Sequence, residues 1–159
     1  MTREYPLAPI VGVGAVVVDG GRVLLIRRGH EPMKGQWSLP GGALEVGETL
    51  TEGVRREVLE ETGLEVEPVA LIEVLDRIAR DSEGRIQFHY VLVDYLCRIT
   101  GGKLCCATDA VDARWATRDE FDGVATFTIK VIENALAISG LDAGVGHQEQ
   151  ELRMDRTTD

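Results

Sequence analysis

Three glutamates, Glu57, Glu60 and Glu61, fall within little more than one turn of a segment that reads as helix, GETLTEGVRREVLEETGLEV. The chain that carries them has a formal net charge of −10, so crowding carboxylates here has a cost. Like charges three and four residues apart on a helix repel by roughly a few tenths of a kcal/mol per pair. These glutamates also sit in the C-terminal half, where the helix dipole disfavours negative charge. Two chemistries fit. One is a solvated acidic face, for which Glu52 and Arg56 stand in the favourable i, i+4 order. The other is a hard divalent cation, which asks for several carboxylate oxygens converging on one point. On charge and spacing within the helix, both stay open.

The elements that must position these groups are well signalled. Thr49 and Glu52 have the spacing of a capping box, and Gly63 stands where a left-handed C-terminal residue belongs. Leu50, Val54 and Val58 recur at four-residue spacing and form the stripe to be buried. Upstream, IVGVGAVVVDGGRVLLIRR reads as two β-branched runs joined at Asp19-Gly20-Gly21, a hairpin. HEPMKGQWSLPGG is turn-rich and reads as irregular. Downstream, VEPVALIEVLDRIAR and RIQFHYVLVDYLCRI are strand-like, with DSEGR turning between them; the second is apolar on both faces, as a covered central strand would be. ARW predicts a short strand, and TRDEFDG reads as a helical segment. From Thr126, Ile129, Ile132 and Leu136 share a helical stripe that is expected to stop near Gly140. The order predicts an α+β fold with helices packed on the faces of a sheet. Residues 1–140 are expected to form one catalytic domain, and 141–159 a polar, mobile tail.

Composition narrows the classes of function. A chain of 159 residues, 44% hydrophobic and 28% charged, is of ordinary globular type. No apolar run approaches the ~20 residues of a membrane span, and the start MTREYPLAPI lacks the apolar core of a secretory signal. Cys97, Cys105 and Cys106 are odd in number and lack C-x-x-C spacing, which predicts reduced thiols in a cytoplasm rather than a disulfide framework. A pI near 4.8 argues against a nucleic-acid polymer or an anionic membrane as the main partner.

The wider spacing brings in a resemblance. Gly42 is followed after five residues by Glu48 and after seven more by Arg56-Glu57-Val58, Leu59, Glu60-Glu61, Thr62 and Gly63-Leu64. This resembles the signature of the Nudix hydrolase family, G-x5-E-x7-R-E-U-x-E-E-x-G-U with U aliphatic, and departs from it nowhere. The flanking GQWSLPGG and the later DARW are similar to the family as well. The resemblance implies an α/β/α sandwich around a mixed central sheet. It implies hydrolysis of a nucleoside diphosphate linked to another moiety, using Mg²⁺ or Mn²⁺. By the same resemblance Glu57 and Glu61 would be metal ligands, Glu60 a further ligand or the group that orients the attacking water, and the Gly41 carbonyl another ligand. Arg56 would clamp a helix carboxylate with Glu48 beside it.

Outside the signature the resemblance implies less. Asp109 lies six residues before Trp115, near where many members carry a further metal-binding carboxylate, usually Glu; a turn-forming role is the alternative. Arg28 matches a position that often contacts phosphate, or is a solvated arginine. His89 either faces the substrate or is a core histidine. Asp81 or Glu83 either supplies a loop base or forms a hairpin turn. Trp37 and Trp115 either stack on a base or pack. The downstream pattern FHYVLVDYLCRITGG looks more like the members that cleave ADP-ribose and nucleotide sugars. The alternatives are a pyrophosphohydrolase of nucleoside triphosphates, oxidised ones included, and a non-catalytic nucleotide sensor. The implied partner is a small nucleotide derivative, and a second copy in a homodimer is compatible with the resemblance.

Overall fold

The hairpin expected at Asp19-Gly20-Gly21 joins β1 (Ile10–Asp19) to β2 (Arg22–Arg28), with Val18 facing Val23 and Asp19 facing Arg22. Gly20 and Gly21 take φ of 57° and 76°, the left-handed positions that a two-residue turn matched to strand twist requires. The computed structural model describes residues 2–105 and 110–154. Two short strands, β3 (Trp37–Ser38) and β4 (Gly41–Ala43), lie within the stretch that reads as irregular. After them come α1 (Leu50–Thr62), β5 (Leu64–Arg80), β6 (Ile86–Gly102), β7 (Ala110–Ala116) and α2 (Thr126–Met154).

The sheet runs β3-β2-β1-β6-β5, with β4 added to β1 and β7 to β2. β1 and β6 are parallel, from Ile10 beside Tyr90 to Val17 beside Cys97. The other strand pairs are antiparallel. The mixed sheet and the interior place of β6 agree with its apolar run.

Side chains alternate along β1 and supply two cores. Ala15 and Val17 pack with Val54 and Val58 of α1, while Val16 faces the other way, toward Val131, Ile132 and Ala135 of α2. The result is helix, sheet, helix. Val54 and Val58 are fully buried, and burying a side chain of that size contributes roughly 1.5–3 kcal/mol.

Two expectations change. TRDEFDG forms a single 3₁₀ turn at Arg118–Glu120 rather than a longer helical segment. The last helix does not stop near Gly140 but runs as α2 to Met154: a helix-interior glycine costs only about 1 kcal/mol, and no proline follows it to force an end. Its buried stripe is Thr128, Val131, Ile132 and Ala135, with Leu136 beside it and Ile129 partly buried. Among the described residues no helix is long and apolar enough to cross a membrane.

Candidate active site

Local chemistry fixes α1 at both ends. Thr49 Oγ1 accepts from the Glu52 N–H at 3.2 Å and Glu52 Oε2 accepts from the Thr49 N–H at 2.7 Å. At the other end Gly63, with φ of 75°, donates its N–H to the Leu59 carbonyl. With Val54 and Val58 pinned in the core, the next stripe round the helix carries Glu57 and Glu61 toward β4. There the Gly41 N–H donates to Glu61 Oε2 at 3.0 Å. A Cβ on Gly42 would stand 2.5 Å from the Glu57 carboxylate, so only glycine lets that carboxylate come so close to the strand. Glu61 is 8% exposed. Glu60 faces outward, its side chain 48% exposed.

Arg56 ties these groups into one network. Its Nε and Nη2 donate to the two oxygens of Glu48 at 2.9 and 2.6 Å, and Nη2 also donates to the Ala43 carbonyl at 3.1 Å. Nη1 donates to Glu57 Oε1 at 2.8 Å and to Glu60 Oε2 at 3.3 Å. The hydrogen bonds from Arg56 hold the Glu48 carboxyl below its ordinary range, and those to Glu48 above all hold the guanidinium firmly charged. Burial pushes the Glu57 carboxyl up in spite of Arg56. Glu57 is therefore a carboxylate that a nearby positive charge would relieve.

Glu57, Glu61, Gly41 and Gly42 line one side of a cavity of about 220 Å³, and Glu60 does not. Among the described residues no cluster of three or more His, Cys, Asp or Glu is gathered tightly enough to hold an ion on side chains alone. Two inward carboxylates and strand main chain still suit Mg²⁺, which binds through one or two carboxylates and completes its shell with waters and substrate phosphates. On that donor set the residues fit a hard divalent ion.

Arg28 lines the same cavity, its Nε donating to the Pro32 carbonyl at 2.7 Å. Burial lowers the pKa of its guanidinium while the Glu61 charge favours it. Arg3 from the N-terminal segment and Arg77 from β5 add further cations, and the Arg77 guanidinium lies 4.1 Å from the Phe127 ring centre. So acidic a chain thus brings three arginines to the cavity that its carboxylates line.

His89 is not on the cavity. Side chains on β6 alternate, and it is Phe88, Tyr90, Leu92 and Asp94 that line it, while His89 stands opposite Ile78 on the other face. Asp109 lies outside the described residues. Asp81 closes the β5–β6 turn: Oδ1 accepts from the Glu83 and Arg85 N–H groups, each at 2.9 Å, and Oδ2 from Tyr5 Oη at 2.9 Å. Against the raising effect of desolvation, those bonds hold its carboxyl at about 2, and neither Asp81 nor Glu83 lines the cavity. Both tryptophans pack, Trp37 against Arg114 and Trp115 against Arg22. Arg3, Arg77, Phe127 and Asp94 are cavity residues that sequence reasoning passed over. For Asp94 a signal existed: it is the one charged residue within the apolar run YVLVDYLC.

The sequence profile of the NUDIX domain matches residues 8–135. The chain is 34% identical over 128 residues to the ADP-ribose pyrophosphatase of Methanocaldococcus jannaschii, covering 80% of this chain and 73% of that protein. It is 39% identical over 100 residues to the 8-oxo-dGDP phosphatase of Mus musculus, covering 60% of this chain and 28% of that protein. Among solved structures, the MutT NUDIX hydrolase from Burkholderia pseudomallei matches with a TM-score of 0.71 and 32% identity, over 80% of this chain and 98% of that one.

Proposed function

The chain belongs to the NUDIX domain family, and from that premise we propose that it hydrolyses the pyrophosphate bond of a nucleoside diphosphate linked to another moiety, ADP-ribose or a nucleotide sugar. Hydrolysis of the Nudix pyrophosphatase kind is common to its relatives; the substrate is the step taken here. The observation that carries it is the cavity that the carboxylates Glu57 and Glu61 share with the cations of Arg28, Arg3 and Arg77.

Nudix hydrolases use divalent metal ions, and Glu57 and Glu61 with the Gly41 main chain would hold one here, Mg²⁺ or Mn²⁺. Such an ion neutralises phosphate charge and lowers the pKa of a bound water. Glu60 is bound to Arg56 at the exposed edge of the same helix, outside the cavity lining, and would orient the attacking water only by reaching in from that rim. Arg56 holds Glu57 and Glu60 in place, and Glu48 fixes the plane of Arg56, as partners of ligating groups do. Arg28 steadies the phosphate that the ion does not reach. Asp109, in the segment before β7, is retained as a further ligand.

A second reading, a phosphohydrolase of oxidised guanine nucleotides, draws support from the likeness to the mouse phosphatase. A homodimer is supported by β5, an edge strand that exposes Val69, Leu71, Val74 and Ile78 at 48–56%. Odd cysteine usage supports the cytoplasm as its compartment.

The test is product analysis after incubation with Mg²⁺ and a panel of ADP-ribose, nucleotide sugars and canonical and oxidised nucleotides, with Glu61→Gln as control. A nucleoside monophosphate plus a sugar phosphate, absent with the variant, is the expected result. Cleavage of di- or triphosphates alone would move the protein to the second reading.

A further inference from the structure

Asp94 is a buried carboxyl with nothing to bind. It is 7% exposed, and among the described residues no group donates a hydrogen bond to it. Its cross-strand neighbour on β5 is another acid, Glu73, whose Oε2 is buried without a partner. The register slips between Leu71 and Glu73 at this point, a bulge of the kind that re-aims a side chain near a site. Burial, then the Glu73 charge, raises the Asp94 carboxyl to about 6. Such an arrangement is costly in the free protein, because two acids lie side by side, largely withdrawn from water, with no donor between them. A ligand would supply one.

The walls describe that ligand. Asp94 ends a row of Phe88, Tyr90 and Leu92 on the cavity face of β6. Beside it, β1 offers the bare backbone of Gly14, where a Cβ would land on Asp94 Oδ1. Beside Asp94 the cavity offers aromatic and aliphatic side chains from β6 and bare strand backbone from β1, which suits a flat ring, while Arg3, Arg28 and Arg77 of the same cavity suit phosphate. Gly14 pairs with Gly41 on one side and lies beside Asp94 on the other. The backbone of Asp94 is therefore two strand spacings, about 10 Å, from β4, whose Gly41 N–H donates to Glu61 of α1. A carboxylate offers two parallel acceptors. Among the common bases, guanine has the matching pair of adjacent donors, N1–H and N2–H; adenine sets one donor beside an acceptor, and hypoxanthine keeps only N1–H.

We infer that Asp94 is a specificity-determining residue that receives the N1–H and N2–H donors of a guanine base at the floor of the cavity. This rests on the proposed function and narrows it to guanine-bearing nucleoside diphosphate derivatives, a GDP-sugar ahead of ADP-ribose.

The test is calorimetric titration of the wild-type protein and Asp94→Asn with GMP, IMP and AMP in the presence of Mg²⁺. Wild-type protein binds GMP about tenfold or more tighter than IMP, since one hydrogen bond to a charged acceptor is lost, and IMP tighter than AMP. Asp94→Asn, whose amide offers one donor and one acceptor, collapses the GMP-to-AMP ratio to within about threefold. Equal wild-type affinity for GMP and AMP, no measurable binding of GMP, or an unchanged preference in the variant would overturn the inference. The order in the wild-type protein decides without the variant, should that fail to fold. Monophosphate binding needs no turnover: a guanine preference in a protein that cleaves no diphosphate derivative would leave this inference standing and sink the proposed function alone.

Discussion

Arg56 and Glu48 meet at two points, Nε to Oε2 at 2.9 Å and Nη2 to Oε1 at 2.6 Å. The fork-to-carboxylate match leaves Nη1 free to hold Glu57 and Glu60 on the same side. One arginine thereby sets the positions of three carboxylates.

Arg56→Lys keeps the charge and loses the fork. We expect kcat to fall about 10–100-fold, the usual cost of losing a partner of a ligating group, with the metal concentration for half-maximal rate raised. Steady-state kinetics across a Mg²⁺ series checks this; an unchanged metal dependence would place Arg56 outside the network that holds the ligands.

Gly42→Ala introduces a Cβ where the Glu57 carboxylate now lies, 2.5 Å away. Glu57 must swing off the strand, so activity should drop by at least about tenfold while thermal unfolding shifts little, since the strand pairing of β4 is main-chain. Wild-type turnover in that variant would show that Glu57 has no fixed place.

Asp94 ties stability to pH. Its carboxyl is raised from 3.8 to about 6, so the folded state binds this proton more tightly than the unfolded chain does. Stability from this group is full below about pH 4 and is lost as pH rises through 6, by on the order of 3 kcal/mol at 1.36 kcal/mol per unit. Asp94→Asn removes that dependence. Urea unfolding should show the variant gaining on the wild-type protein between pH 4.5 and 7.5; an equal gap at both pH values would contradict the burial argument.

How much was legible follows from where each signal lives. The ends of α1 could be read because Thr49, Glu52 and Gly63 act on their own neighbours. The hairpin at Gly20-Gly21 was readable for the same reason. β4 was not, because three residues carry no periodicity; Gly41–Ala43 is a strand only through its pairing with Gly12–Gly14. For His89 the sequence leaves substrate contact and a core place both open, because strand periodicity says that neighbours alternate but not which face meets the cavity. That parity is set by the helices covering each side, and Phe88 and Tyr90 won the place. Arg3 and Arg77 are far from the signature in sequence, and only the packing of the N-terminal segment and β5 brings them to Arg28. Gly140 was read as a stop, but without a capping partner glycine alone does not end a helix.

The central claim is that Glu57 and Glu61 carry a divalent ion that the reaction needs. The most direct measurement is the hydrolysis rate of the best substrate of the panel, for wild-type protein and Glu61→Gln, with Mg²⁺ and then with excess EDTA. The account predicts turnover with Mg²⁺, its loss in EDTA and its return on adding Mg²⁺ or Mn²⁺, with the variant slower by about 10³-fold or more at saturating metal, though folded. Full activity in EDTA, or a variant turning over at the wild-type rate, would contradict it.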